Sequence, residues 1–107
     1  MADFLDHEHI HKLLYYFCTE YPKEACGAIV NRKWMPCRNE AITPENDFEM
    51  NVNDWIKVQM MGKPEAIVHS HPRSGAVASE FDLVQHKILN LPFIVVSLRD
   101  WNVEIYK

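Results

Sequence analysis

Several features common in other classes of protein are scarce or missing in this sequence. Only three of its 107 residues are glycine, and it contains no repeat or low-complexity segment, so nothing in it is typical of a flexible linker. No apolar run approaches the ~20 residues that span a bilayer. The opening MADFLDHEHIHK lacks the basic, apolar and small-residue order of a secretory signal. We therefore expect a single domain over residues 1–107, located in the cytoplasm.

Cysteine and positive charge are also limited. Cys18, Cys26 and Cys37 are an odd number without CxxC spacing, which favours reduced thiols buried as small hydrophobic side chains. The net charge of −4 at pH 7 argues against non-specific binding to nucleic acid or anionic membranes, and we expect neither as a partner. Apolar residues make up 48% and charged residues 24%, as in a folded protein with one modest core.

Apolar periodicity divides the chain into helices and strands. The predicted helices cover residues 4–21, 52–61 and 79–90. The predicted strands cover residues 25–30, 34–37, 65–71, 93–98 and 102–107. The residues of the third helix expected to face inward are Phe81, Val84, Ile88 and Leu91. Together these elements predict an α/β (α+β) sandwich, a mixed and mainly antiparallel sheet flanked by helices.

Two histidines and a carboxylate lie close together in AIVHSHPRSGAVASEFD, residues 66–82. Residues i and i+2 of a strand point to the same side, so His69 and His71 could share one ion. The next helix begins at Ser79, a favoured N-cap residue, which puts Asp82 in its first turn, where it can return over both histidines. Two neutral imidazoles, one carboxylate and a fourth position open to water describe a catalytic rather than a structural zinc site.

Each part of this pattern also has a structural explanation. Ser79 and Asp82 match a capping box, in which both side chains would only satisfy backbone N–H groups. An HxH pattern on a strand can arise by chance. It is the combination of the two, at the end of an apolar strand, that favours a metal site.

A second pattern, HEHIH at residues 7–11, satisfies the H-E-x-x-H motif, in which two histidines bind zinc and the glutamate acts as a base. It lies in the first turns of the N-terminal helix with no strand before it. Apolar residues occupy the positions where the extended motif needs glycine and a third histidine. We therefore expect His7 and His11 on a solvated helix face, and His86 on the surface as well.

The spacing of HSHP and SEFD resembles the JAMM (MPN+) zinc metalloprotease signature, H-[ST]-H-x7-S-x-x-D, without a gap. That family places a glutamate at the start of the first strand, and KEACGAIV supplies it as Glu24 in an E-x-C-G setting. The order EACG, CRNEA, PENDFEM and AIVHSHP further resembles the phage branch, the N-terminal domain of tail assembly protein K of lambda-like phages. The resemblance covers nearly the whole chain and implies the cytidine-deaminase-like JAMM/MPN fold.

The resemblance implies a role for each of five residues. His69, His71 and Asp82 would bind one Zn²⁺ per chain, with a catalytic water as the fourth ligand. Glu24 would take a proton from that water and deliver it to the leaving amine. Ser79 would hydrogen-bond the developing oxyanion. The implied reaction is hydrolysis of a peptide or isopeptide bond.

Three functions remain open at this point. The first is a zinc metalloprotease of phage tail assembly, acting on a protein or peptide such as a tail protein, in the host cytoplasm if a phage encodes it. The second is a bacterial peptidase that processes ubiquitin-like sulphur carriers. The third is a non-catalytic MPN interaction module, against which the intact residue set argues. The phage proteins commonly carry a cell-wall hydrolase domain, so such a domain or protein is an expected partner.

Overall fold

The computed structural model describes residues 3–107, and within them the chain forms three helices and five strands. The helices are α1 (His7–Glu20), α2 (Val52–Met61) and α3 (Glu80–Leu89). The strands are β1 (Cys26–Val30), β2 (Lys33–Cys37), β3 (Ala66–His71), β4 (Phe93–Ser97) and β5 (Val103–Tyr106). Every predicted element is present, although α1 begins later than expected because Asp6 is extended at its N-cap. No helix of this range is both long and apolar enough to cross a bilayer.

The five strands form one sheet in the order β2-β1-β3-β4-β5. Only β3 and β4 pair in parallel; the other three neighbouring pairs are antiparallel. The predicted mixed, mainly antiparallel sheet flanked by helices is confirmed. Because parallel strands need a crossover connection, the chain leaves the carboxyl end of β3 and returns through α3. This connection sets the start of α3 beside the end of β3.

Two apolar clusters pack against opposite faces of the sheet. Successive strand residues point to opposite faces, so Val68 enters one cluster and Ile67 the other. The first cluster lies under α1, which contributes Leu13 and Phe17. The second lies under α2 and the 38–51 segment and includes Phe48. The histidine side of β3 is the face of this second cluster.

Helix α3 packs with a different face from the one predicted. Phe81, Val84 and Ile88 were expected to face inward, but they are 39%, 54% and 68% exposed, whereas Asp82 is only 2% exposed. Of the predicted inward residues, Leu91, just after the helix, is partly buried against the second cluster. On the same side of the helix as Asp82, the half-buried residues are Gln85, His86 and Leu89. The helix is therefore rotated so that a carboxylate, rather than its apolar residues, points at β3.

Four single-residue expectations can also be compared with the structure. Cys26 and Cys37 are buried as predicted, but Cys18 is exposed, because it lies beside rather than on the buried stripe of α1. His86 is half-buried instead of solvated, with its Nδ1 2.8 Å from the carbonyl oxygen of Leu91.

Candidate metal centre

The carboxyl end of β3 presents two buried imidazoles on one face of the sheet. The ring centroids of His69 and His71 are 5.1 Å apart. Asp82, in the first turn of α3, places its Oδ2 3.1 Å from Nε2 of His69 and 3.0 Å from Nε2 of His71. Strand, loop and helix start thus bring together the three residues that the sequence singled out as metal ligands.

Glu24 reaches the same place from the segment that precedes β1. Antiparallel pairing sets Cys26 opposite His69, and the Ala25 N–H donates to Oγ of Ser70 at 2.8 Å. These contacts hold the start of β1 against the end of β3. Four buried groups then offer ligand atoms that all lie within 4.8 Å of one another: Glu24, His69, His71 and Asp82.

The tautomer of His71 suits a metal ligand. Its Nδ1 lies 2.9 Å from the carbonyl oxygen of Gly75, and because a carbonyl oxygen only accepts, Nδ1 carries the proton. In the neutral ring, Nε2 therefore presents a lone pair toward Oδ2 of Asp82. Two acceptors 3.0 Å apart need a proton or a cation between them.

Other buried atoms at the centre also fit a cation. Among the described residues, Oε1 of Glu24 and both ring nitrogens of His69 are buried without a hydrogen-bond partner. Nε2 of His69 is close to Asp82 but lacks the alignment of a hydrogen bond. Buried polar groups are nearly always satisfied in folded proteins. A metal ion held by imidazole and carboxylate would satisfy Nε2 of His69 and compensate the buried carboxylate of Glu24. Nδ1 of His69, on the other side of the ring, cannot reach the same ion.

Burial and the contacts among the four groups together set the electrostatics of the centre. Burial raises the pKa of Glu24 to about 9, with Asp82 and Asp47 adding to the effect, and it lowers the pKa of His69, which favours the neutral imidazole that a metal requires. Burial alone would also raise the pKa of Asp82 and lower that of His71. For Asp82, the contacts with His69 and His71 and the Ser79 N–H outweigh burial, so its pKa lies well below its usual range. For His71, the contacts with Asp82 and the Gly75 carbonyl outweigh burial, so its pKa is raised. A cation at the centre would favour the ionised form of Glu24.

Ser79 begins α3 in a capping box. Its Oγ accepts from the Asp82 N–H at 3.1 Å, and its own N–H donates to Oδ2 of Asp82 at 2.9 Å. The carboxylate of Asp82 thus takes part in the helix cap and also lies in the centre. The capping role of Ser79 and Asp82 is therefore compatible with a metal site. Ser79 also lines a cavity of about 230 Å³ together with Glu24 and His71. The cap uses its hydroxyl only as an acceptor, which leaves the proton to donate.

Two supports of the centre were missed by the sequence analysis. The side chain of Asn39 donates to the carbonyl oxygens of Glu24 at 2.8 Å and Asp47 at 2.9 Å, which ties the 38–51 segment to the start of β1. The ring of Phe48 stacks on His69 with centroids 4.5 Å apart. Asn39 lies in CRNEA and Phe48 in PENDFEM. The order of these segments contributed to the family resemblance, and it was the one feature of the sequence that could have indicated the two residues.

A third support holds the loop between β3 and α3. The hydroxyl of Ser97 donates to a carbonyl of this loop at 2.7 Å. The hydroxyl of Tyr106 accepts from the Ala78 N–H at 2.9 Å. Since the same loop carries the Gly75 carbonyl that orients His71, β4 and β5 help to position a predicted ligand.

The H-E-x-x-H motif lies apart from this centre. His7 and His11 are exposed on α1, as predicted, and α1 covers the sheet face opposite to that of the second apolar cluster. Neither belongs to the four-residue group.

Comparison with known proteins places the chain in a family. Residues 6–105 match the family described as prokaryotic homologs of the JAB domain. The chain is 33% identical over 92 residues to the tail tip assembly protein K of Escherichia phage N15, and the match covers 82% of this chain but only 38% of that protein. The solution structure of protein DSY2949 from Desulfitobacterium hafniense has the same fold, with a TM-score of 0.70 at 21% identity over 94% of this chain and 79% of that one. The chain belongs to the prokaryotic branch of the JAB-domain family.

Proposed function

We propose that this chain is a zinc-dependent hydrolase of peptide or isopeptide bonds that acts in phage tail assembly. The observation that carries the proposal is the buried centre, in which the ligand atoms of two histidines and two carboxylates lie within 4.8 Å of one another. Membership of the JAB-domain family supports the reaction. The name of the relative from phage N15, a tail tip assembly protein, supports the process.

We assign His69, His71 and Asp82 as the ligands of one zinc ion per chain. When bound, zinc would polarise the scissile carbonyl and lower the pKa of a bound water toward ~7. Two contacts orient the histidine ligands. The Gly75 carbonyl sets the tautomer of His71, and stacking on Phe48 fixes the ring of His69.

Glu24 is assigned as the general base, which accepts a proton during the attack and returns it to the leaving amine. Its backbone is held by Asn39, and the residue is 5% exposed, so its carboxyl is largely shielded from bulk water. Ser79 is assigned to the oxyanion, because its hydroxyl faces the same cavity and retains a proton to donate.

The substrate is proposed to be an extended segment of a protein, in the first place a phage tail protein in the host cytoplasm. The cavity beside the centre is small, about 230 Å³, and it is lined in part by exposed Glu45 and Arg73. Such a space admits a peptide segment but not a folded domain. The relative from phage N15 extends well beyond the matched region, which leaves room for the cell-wall hydrolase partner that we also propose.

The test is cleavage of tail proteins encoded with this chain, followed by mass spectrometry with the zinc-loaded protein. We expect Glu24→Gln to keep zinc and the fold while cleavage falls by roughly 10² to 10⁴. Glu45→Gln, which removes a carboxylate from the same cavity but not from the centre, should keep both zinc and cleavage.

Three other outcomes of this cleavage test would contradict the proposal. Cleavage by Glu24→Gln at the parent rate would exclude this mechanism. Cleavage of a ubiquitin-like sulphur carrier after its Gly-Gly end, with tail proteins left intact, would assign the bacterial peptidase instead. Stoichiometric zinc with no cleavage of either substrate would indicate an interaction module.

A further inference from the structure

The two histidines of the H-E-x-x-H motif form a close pair on the surface of α1. They are four residues apart, and Nε2 of His7 and Nε2 of His11 share a hydrogen bond of 3.2 Å, whose proton a metal ion would replace. Their rings are nearly perpendicular, with centroids 4.8 Å apart. Both side chains are exposed, so a solute can reach the two nitrogens directly.

The separation of the two nitrogens matches a chelate. Bonds from imidazole to a metal such as zinc are about 2.0–2.1 Å long, so two nitrogens 3.2 Å apart subtend an angle of about 100° at a shared ion. This angle lies between the about 90° of square-planar or octahedral ions and the about 109° of tetrahedral ones. Residues i and i+4 are neighbours on a helix surface, so binding needs no change of the backbone.

The other histidines of residues 3–107 do not form an exposed pair that could chelate a metal ion. Nδ1 of His9 accepts from the Trp34 N–H at 3.0 Å, which turns its ring toward β2. Nδ1 of His86 is 2.8 Å from a backbone carbonyl. The remaining two belong to the buried centre. Within the described chain, the exposed histidine chelate is therefore the pair on α1.

The first turn of α1 is also a place where an ion would stabilise the protein. The N-cap residue Asp6 makes no side-chain cap hydrogen bond, because its carboxylate accepts from Arg32 instead, at 3.0 Å. His7 and His11 span that turn, so one ion bound to both would clamp it.

We propose that His7 and His11 form a second metal site, which binds one exchangeable divalent transition-metal ion. Nitrogen ligands favour Cu²⁺ over Ni²⁺ and Zn²⁺, and we expect that order here. With only two protein ligands, the ion keeps positions open to water or to another donor group. The site is independent of the buried centre and of the reaction proposed for it.

The test uses the tag-free chain on a column of Ni²⁺ held by nitrilotriacetate, an ion with two adjacent open positions. The parent should be retained and eluted by imidazole, and the His7→Asn/His11→Asn double variant should pass through. Each single variant should bind at least about tenfold more weakly, because the second bond of a chelate is effectively intramolecular. Glu8→Gln, on the same exposed turn, should be retained like the parent.

A titration of NiCl₂ into the chain loaded with one equivalent of zinc provides the second measurement. We expect one further ion per chain in the parent and none in the double variant, with unchanged circular dichroism, since both side chains are exposed. Failure of the parent to bind Ni²⁺, or equal binding by the parent and the double variant, would overturn the proposal.

Discussion

At the scale of single residues, the charge of Glu24 depends strongly on its surroundings. Burial, reinforced by Asp82 and Asp47, raises its pKa from 4.5 to about 9 in the folded protein without metal. The unfolded chain exposes Glu24 to water and returns it to its ordinary pKa. The protonated form is therefore favoured by folding. Its contribution to stability is complete below pH 4.5 and is lost as the pH rises toward about 9.

This linkage predicts how Glu24→Gln changes the stability of the metal-free protein. A glutamine carries no charge at any pH, so the variant should be more stable than the parent at pH about 8, by at least about 1 kcal/mol. The difference should shrink to a small constant at pH about 4, where Glu24 is protonated in both states. Urea unfolding with a chelator present measures it.

Glu45→Gln, at an exposed carboxylate of the same cavity, is the control and should show no such trend. Equal stability of the parent and Glu24→Gln at pH about 8 would mean that burial does not hold a proton on Glu24.

At the scale of elements, the start of α3 is both a helix cap and part of the centre. Ser79→Ala should cost about 1 kcal/mol of stability as a lost cap. Ser79→Asp keeps a capping oxygen but puts a negative charge where we place the oxyanion, so it should fold and fail to cleave substrate. Thermal unfolding and a cleavage assay separate the two effects.

The N-cap of α2 provides a matched control, because Asn51 accepts from the Asp54 N–H at 2.9 Å. Asn51→Ala should lose at least as much stability as Ser79→Ala and still bind zinc. Normal cleavage by Ser79→Asp would leave Ser79 with its capping role alone.

The loop between β3 and α3 gives a second prediction at this scale. Tyr106→Phe removes the hydroxyl that accepts from Ala78, a hydrogen bond worth about 1 kcal/mol. We expect faster tryptic cleavage after the exposed Arg73 in that loop, and weaker zinc binding, because the Gly75 carbonyl loses its fixed position. Tyr15→Phe, at a side chain 74% exposed, is the control. An unchanged rate of cleavage at Arg73 would show that Tyr106 does not hold the loop.

The same elements show what could be predicted from sequence. Alternation along β3 correctly placed His69 and His71 on one face, since that pattern is local. The inward face of α3 was predicted from its apolar residues and was wrong, because Asp82 is drawn to the two imidazoles and rotates the helix. That contact exists only in the folded chain. The approach of Glu24 depends on the pairing of β1 with β3, so only the family resemblance could indicate it.

At the scale of the whole molecule, a metal that binds only the folded state should govern stability. Zinc at 100 times its dissociation constant would add about 2.7 kcal/mol. We expect His71→Ala to lose most of the zinc and most of this stabilisation, as measured by elemental analysis and thermal unfolding. The His7→Asn/His11→Asn variant should keep one tightly bound zinc. Full zinc content in His71→Ala would exclude the buried site.

The pairing of β3 with β1, and the contact of β3 with α3, also suggest an order in which the residues of the centre come together during folding. Along the chain, His71 and Asp82 are 11 residues apart, whereas the contact beside Glu24 joins residues 45 apart. Closing the longer loop costs about 1 kcal/mol more, and contacts of long sequence separation form more slowly. We therefore expect the proposed metal ligands to come together earlier than the proposed base. On the function proposed above, a newly synthesised chain would take up its ion before its base is in place, and so before it could hydrolyse a neighbouring nascent chain.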